Sequence, residues 1–152
     1  MEHGISAGEN FLSGYNCAQS VAVAFHDLLG MDRDSCARMA SAFGGGMGRM
    51  REVCGAVSGM LLVLGILYGY DTPGDDVSKK ALYTEVQALA GRFRAETGSI
   101  ICREILKNPP SDPNPTPRTA EFYKVRPCTR MVVLAADLMD EFIRTHPLED
   151  RP

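Results

Sequence analysis

Hydrophobic residues recur at steps of three and four along most of the chain, a spacing typical of amphipathic helices. No alternation of polar and apolar residues is long enough for a strand. The pattern therefore predicts an all-α fold. The predicted helices cover residues 5–13, 17–29, 33–43, 54–70, 77–96 and 128–145.

The run of residues 54–70 is the most apolar part of the chain and contains no charged side chain. Its 17 residues fall short of the about 20 that a membrane-spanning helix needs. Two Gly-x-x-x-Gly pairs lie within it, Gly55 with Gly59 and Gly65 with Gly69, and small residues at this spacing let two helices approach closely. We therefore predict that residues 54–70 form the central helix of a compact helical bundle and do not contact a membrane. The same glycine pairs permit a homodimer without requiring one.

Aspartate, glycine and proline mark the ends of the predicted helices. Asp32, and one of the two aspartates at 75–76, are suited to cap the helices that follow them. The glycine-rich residues 44–48 disfavour a regular helix by roughly 1 kcal/mol per glycine, so we expect a break there. The five prolines within residues 108–119 exclude regular structure. We expect this loop to cross the surface and return Cys128 to the other cysteines.

Length and charge limit the classes of function that we expect for the chain. The 152 residues suit one domain, residues 1–152, with its own core. The 16 basic and 19 acidic residues leave a net charge of −3, and no run of Lys or Arg is present, so no nucleic-acid partner is expected. The first residues lack the charged and apolar segments of a secretory signal. We therefore expect a cytoplasmic protein.

Five cysteines in such a compartment indicate catalysis, redox sensing or metal binding before permanent disulfides. Cys17, Cys54 and Cys128 each precede or begin a predicted helix, and arginines follow or precede Cys54, Cys102 and Cys128 closely. A helix N-terminus and a nearby cation both stabilise a thiolate. We therefore interpret these four thiols as chemically active, although most free cysteines are simply buried as small hydrophobic residues.

Three sequence motifs together resemble a known family. Residues 14–19 read Gly-Tyr-Asn-Cys-Ala-Gln, residues 44–48 read Gly-Gly-Gly-Met-Gly, and residues 54–59 read Cys-Gly-Ala-Val-Ser-Gly. With two later cysteines, this pattern resembles the bacterial and archaeal family of redox-active proteins with four cysteines and a CGAxxG motif. The resemblance leaves Cys36 outside the functional set, as a buried helix residue. The functional set that it implies is Cys17, Cys54, Cys102 and Cys128.

The first hypothesis for these thiols is thiol–disulfide or electron-transfer chemistry, in which one cysteine of low pKa attacks and a second resolves. We predict Cys54 as the attacking thiolate, because the amides of residues 55–57 should point toward its sulfur. Gly55 and Gly59 are predicted to let a cofactor or substrate approach. The sequence does not identify the redox partner.

Two alternatives remain open. In the first, the four thiolates bind one zinc ion or iron–sulfur cluster, although the chain has no Cys-x-x-Cys pair to support such a site. In the second, the chain is a non-enzymatic helical binding module whose cysteines only fill the core. Chemical labelling of the thiols distinguishes the binding module from the other hypotheses, because thiols that only fill the core resist a reagent until the protein unfolds. The metal ligands of the first alternative are Cys17, Cys54, Cys102 and Cys128.

Overall fold

The computed structural model describes residues 1–150, and within them it contains helices and no strand, so the predicted all-α class is confirmed. One isolated antiparallel bridge pairs Val53 with Ile101. Short 3₁₀ turns cover Ser41–Phe43 and Leu148–Asp150. The α-helices are α1 (Glu2–Leu12), α2 (Cys17–Ala24), α3 (His26–Leu29), α4 (Arg33–Ala40), α5 (Gly44–Met47), α6 (Gly55–Tyr68), α7 (Asp76–Thr97), α8 (Cys102–Ile105), α9 (Ala120–Val125) and α10 (Cys128–Thr145).

Helix α6 lies at the centre of the bundle, as its apolar sequence predicted. It contacts α2, α7 and α10, while α1 packs against α2 and α10. Side chains from these five helices form one continuous hydrophobic core. Among residues 1–150, no helix is both long enough and apolar enough to cross a membrane. The apolar side chains that α6 buries are Ala56, Val57, Met60, Val63, Leu64 and Leu67.

Side-chain caps set the starts of four helices, one of which is α9, capped by Thr119. Before α2, the Asn16 side chain accepts a hydrogen bond from the Gln19 amide at 2.8 Å, and the Gln19 side chain accepts one from the Asn16 amide at 3.1 Å. This reciprocal capping box places Cys17 in the first turn of α2. Asp32 caps α4 and Asp75 caps α7, as predicted. The predicted helix over 17–29 is divided at Phe25 into α2 and α3.

The glycine-rich and proline-rich segments form the irregular part of the fold. Gly45 and Gly46 have left-handed backbone angles inside α5, which confirms the predicted break at residues 44–48. Residues 108–119 contain no helix or strand, also as predicted. This loop is held against the residues that follow the glycine-rich segment, because the Arg51 side chain donates a hydrogen bond to the Pro110 carbonyl at 2.9 Å. Helix α9, which follows the loop, was not predicted.

Candidate functional site

Four of the five cysteines meet at one place in the fold. Cys17, Cys54, Cys102 and Cys128 all line a cavity of about 30 Å³. Three of them are the first residues of α2, α8 and α10, and Cys54 is the N-cap of α6. The prediction that Cys17, Cys54 and Cys128 lie where helices begin is therefore confirmed, whereas the short helix that begins at Cys102 was not predicted. Cys36 is fully buried within α4 and does not line the cavity, as expected for a core residue.

Two backbone hydrogen bonds hold the segment around Cys54 beside the segment around Cys102. The Cys54 amide donates to the Ile100 carbonyl at 2.7 Å, and the Cys102 amide donates to the Glu52 carbonyl at 2.6 Å. Gly46 packs closely against Cys102, since a Cβ atom at Gly46 would lie 2.7 Å from the Cys102 Cβ. The isolated bridge and the glycine-rich segment thus fix the relative positions of two cysteines that are far apart in sequence.

Two glycines of the Cys-Gly-Ala-x-x-Gly string bring α2 against α6. A Cβ at Gly55 would lie 2.6 Å from Cys17 Sγ, and a Cβ at Gly59 would lie 2.6 Å from the Ala18 carbonyl oxygen. Real Cβ atoms do not approach other atoms this closely, so both positions need glycine for the two helices to pack. The close approach predicted at Gly55 is made by Cys17 of the same chain. The assignment of both glycines to cofactor binding stays a prediction.

The prediction of a lowered pKa at Cys54 is wrong. Burial raises the pKa of the Cys54 thiol far above its ordinary value, and Cys17 and Cys128 raise it further. The amides of Ala56 and Val57 do form hydrogen bonds with Cys54 that lower its pKa, as the helix start predicted, but burial outweighs them. The side chain is only 7 % exposed, and sequence alone did not reveal this burial. As a neutral thiol, Cys54 is a poor first nucleophile.

Arg51 is close to Cys54 in sequence, but its buried side chain contacts Cys102 instead. Arg51 is only 5 % exposed, and its Nη1 donates to Cys102 Sγ at 3.8 Å. Burial raises the pKa of Cys102, while this hydrogen bond and the charge of Arg51 oppose the rise. Arg103, the neighbour of Cys102 in sequence, points elsewhere and forms an ion pair with Glu52 at 3.0 Å.

Cys17 and Cys128 lie between the small cavity and a larger open cleft. Both are half-buried, and both line a second cavity of about 460 Å³ as well as the first. The pKa of Cys128 is raised to about 12, first by burial and then by the neighbouring Cys17, while the charge of Arg126 partly opposes the rise. We call this second cavity the arginine cleft, after the basic residues that line it. They are Arg49, Arg51, Arg118 and Arg126.

The arginine cleft was not predicted as a unit. Sequence position drew attention to three of its arginines as neighbours of cysteines, but not to Arg118. That side chain donates to the carbonyls of Phe11 and Tyr15, each at 3.0 Å, and its guanidinium lies 4.3 Å from the centre of the Phe11 ring. These contacts join the end of α1 to the proline-rich loop. Only the tertiary fold brings such distant segments together.

A metal centre would need several ligand side chains that face one point. Within residues 1–150, no group of three or more His, Cys, Asp or Glu side chains has an arrangement that could hold a metal ion. The small cavity has room for about one or two water molecules, and an organic substrate requires the larger cleft. Of the four thiols, Cys17 and Cys128 are the two that also line this larger cleft.

Comparison with known proteins identifies the family. No curated protein and no solved structure matches the chain. Residues 15–142 match the family described as "Putative redox-active protein (C_GCAxxG_C_C)". The match covers most of the chain and includes all four cysteines of the cluster, and the chain belongs to this family. The resemblance predicted from the motifs is thereby confirmed.

Proposed function

We propose that this member of the C_GCAxxG_C_C family is a dithiol redox protein in which Cys17 attacks a disulfide and Cys128 resolves the product. The observation that carries the proposal is the position of these two half-buried thiols, which line both the shared cavity and the open cleft. Cys54 and Cys102 are almost fully buried behind them, at 7 % and 6 % exposure. A substrate in the cleft therefore meets Cys17 and Cys128 first.

The position of Cys17 favours it as the attacking group. It begins α2, an eight-residue helix whose first turn is fixed by the capping box of Asn16. The unpaired amides and the positive end of the helix stabilise negative charge there. Cys128, with a pKa of about 12, is mostly protonated at neutral pH. It becomes an effective nucleophile only when its proton is lost during the second step.

The reaction balances as a two-electron exchange. The Cys17 thiolate attacks one sulfur of R–S–S–R, that S–S bond breaks, and the first thiol leaves with the proton that Cys17 has lost. The Cys128 thiolate then attacks the Cys17 sulfur of the mixed disulfide, and the second thiol leaves with the proton from Cys128. The two cysteines are oxidised to one disulfide, while R–S–S–R is reduced to two thiols.

The two inner cysteines extend this chemistry. Cys54 and Cys102 line the same small cavity as the outer pair, so they can reduce the Cys17–Cys128 disulfide back to two thiols while a Cys54–Cys102 disulfide forms. The outer pair can then reduce a second R–S–S–R, so the fully reduced protein donates four electrons instead of two. The attacking function predicted earlier for Cys54 becomes, in this proposal, that of an inner thiol that reacts after Cys17.

A native thiol count tests the proposal. Protein purified under anaerobic conditions is oxidised mildly, its free thiols are alkylated, and the modified cysteines are identified by mass spectrometry. We expect the count to fall by two or four and to recover with dithiothreitol. Cys17→Ser should abolish this fall in the count of free thiols. Cys36→Ala should not change the fall, because Cys36 lies outside the cluster.

The same preparation tests the metal alternative. Its ultraviolet–visible spectrum and metal content are measured before oxidation. Stoichiometric iron or zinc with four thiols protected from alkylation would overturn the dithiol proposal in favour of a metal or iron–sulfur centre. Four thiols that react only after unfolding, without any metal, would instead favour a binding module whose cysteines fill the core.

A further inference from the structure

We propose that the arginine cleft binds a small organic anion bearing carboxylates, and that it thereby selects negatively charged disulfides for reaction at Cys17. This inference rests on the proposed dithiol function for the identity of the substrate. The binding site itself rests on the cleft, whose four arginines and two of whose thiols are contributed by separate segments of the chain.

The charge of the cleft is concentrated and poorly compensated. None of the residues that line it, all within the described part of the chain, carries a carboxylate. Arg51 and Arg118 are held mainly by neutral carbonyl groups, which position a guanidinium without cancelling its charge. Arg49 forms an ion pair with Asp112 at 3.3 Å, but that carboxylate is 51 % exposed. This local positive charge contrasts with the net charge of −3 for the whole chain, so it attracts anions to this face.

Arg126 is the arginine most available to a ligand. Its guanidinium lies 5.3 Å from the centre of the Phe122 ring and, within residues 1–150, forms no hydrogen bond or ion pair. Its charge acts on Cys128, where it opposes the rise in pKa that burial causes. An arginine presents five N–H donors in a plane that matches a carboxylate. Arg126 therefore offers an unused carboxylate site beside Cys128, the resolving thiol of the proposed pair.

The walls and size of the cleft favour an organic anion over an inorganic one. Phe11 and Phe122 line it together with Pro113 and Pro115, and these apolar surfaces contact carbon chains rather than small hydrated ions. Its volume of about 460 Å³ lies within the range of sites for small organic molecules. An anionic disulfide combines the three features that the cleft accommodates, which are carboxylates for the arginines, an apolar chain for the walls and an S–S bond for Cys17.

A comparison of disulfides that differ in charge tests the selection. The reduced protein is mixed under anaerobic conditions with dithiodipropionate, which carries two carboxylates, with neutral bis(hydroxyethyl) disulfide, or with cationic cystamine. The rate of thiol loss is divided by the rate of reaction of each reagent with a free thiol peptide. We expect the anionic reagent to react fastest and the cationic reagent slowest, with a preference that weakens as salt is added.

Arg126→Gln provides the decisive variant. The ratio of the anionic to the neutral rate should fall about tenfold, the factor expected from the loss of one charge-assisted hydrogen bond. Arg126→Lys should restore part of the ratio. Arg130→Gln is the matched control, because Arg130 is exposed, donates to the Glu96 carbonyl and does not line the cleft; it should leave the ratio unchanged. Circular dichroism checks that each variant is folded.

A non-reactive ligand separates the two proposals. Suberate has the chain length and charge of dithiodipropionate with carbon in place of sulfur, and its binding to the reduced protein is measured by calorimetry. Binding that is weakened by Arg126→Gln and not by Arg130→Gln supports the anion site, even if no disulfide reacts and the dithiol function fails. Equal rates for all three disulfides, or no suberate binding by the wild-type protein, would overturn the anion site while leaving the dithiol function intact.

Discussion

Replacing Gly59 with alanine tests the contact that places Cys17 beside the start of α6. A Cβ there would lie 2.6 Å from the Ala18 carbonyl oxygen and 3.0 Å from the Val21 Cβ. Both atoms belong to the buried helix α2, and its backbone cannot turn aside as the end of a flexible side chain does. The added methyl group must therefore push α2 away from α6. Cys17, which precedes Ala18, moves with it.

The magnitude follows from two opposing effects. Alanine is favoured over glycine in a helix interior by about 1 kcal/mol, whereas overpacking a buried contact costs about 1–3 kcal/mol. Gly65 lies on the same helix, and a Cβ there meets nothing within 4 Å, so Gly65→Ala gains the first effect alone. The difference in the free energy of unfolding between the two variants then isolates the overpacking, and should be about 1–3 kcal/mol in favour of Gly65→Ala.

Urea unfolding followed by circular dichroism measures both variants under reducing conditions. We expect Gly65→Ala to be at least as stable as the wild-type protein and Gly59→Ala to be less stable than Gly65→Ala. The rate at which iodoacetamide alkylates Cys17 in the native state should change only in Gly59→Ala, because only that variant displaces α2. Equal stability of the two variants, with equal alkylation of Cys17, would show that α2 and α6 do not approach as closely as described.

Three further predictions concern single side chains. Because the pKa of Cys128 is about 12 in the folded protein against 9.0 for an ordinary thiol, its neutral form stabilises the fold below pH 9, and this stabilisation is lost as the pH rises toward 12. The free energy of unfolding should fall by about 1 kcal/mol from this thiol between pH 9 and pH 10, and urea titrations should show a smaller fall in Cys128→Ala. Asn16→Ala should lower the free energy of unfolding by about 1 kcal/mol through loss of the α2 cap, and Asn16→Ser should retain most of it; thermal unfolding of both variants checks this. The Cys36 thiol should resist alkylation until urea unfolds the protein, and a native reaction as fast as that of Cys17 would contradict its burial.

Local signals were sufficient to predict the starts of several helices, including those at Cys17 and Cys128. The N-cap of α4 at Asp32 and the helix that runs from Cys128 to Thr145 were both predicted, because capping residues and apolar spacing are properties of neighbouring residues. Helix α9 was missed because it has only six residues and follows a proline-rich loop. Short helices depend on tertiary packing more than on their own sequence.

Burial and long-range contacts account for the predictions that failed. The pKa of Cys54 depends on how deeply the thiol is buried, and Arg51 lies near it in sequence while its side chain contacts Cys102. The contact of His3 with α10 could not be predicted either, because no local sequence pattern connects the two. Its Nδ1 lies 2.5 Å from a carboxylate oxygen of Asp140, a residue near the other end of the chain. Such contacts are set by the packing of whole helices, and local sequence patterns do not encode them.

The glycine-rich segment shows how the fold supports the arginine cleft. Left-handed backbone angles extend beyond its glycines to Met47, Arg49 and Arg51, with φ of 69°, 66° and 61°. Each such non-glycine residue costs roughly 1–2 kcal/mol, and this strain persists only where surrounding bonds fix the chain, as the hydrogen bonds from the Arg51 and Glu52 amides do here. Two of the three strained residues are arginines of the cleft. Because Arg49 and Arg51 both line the cleft, this strained stretch of backbone is the part of the fold that positions their two guanidinium groups there.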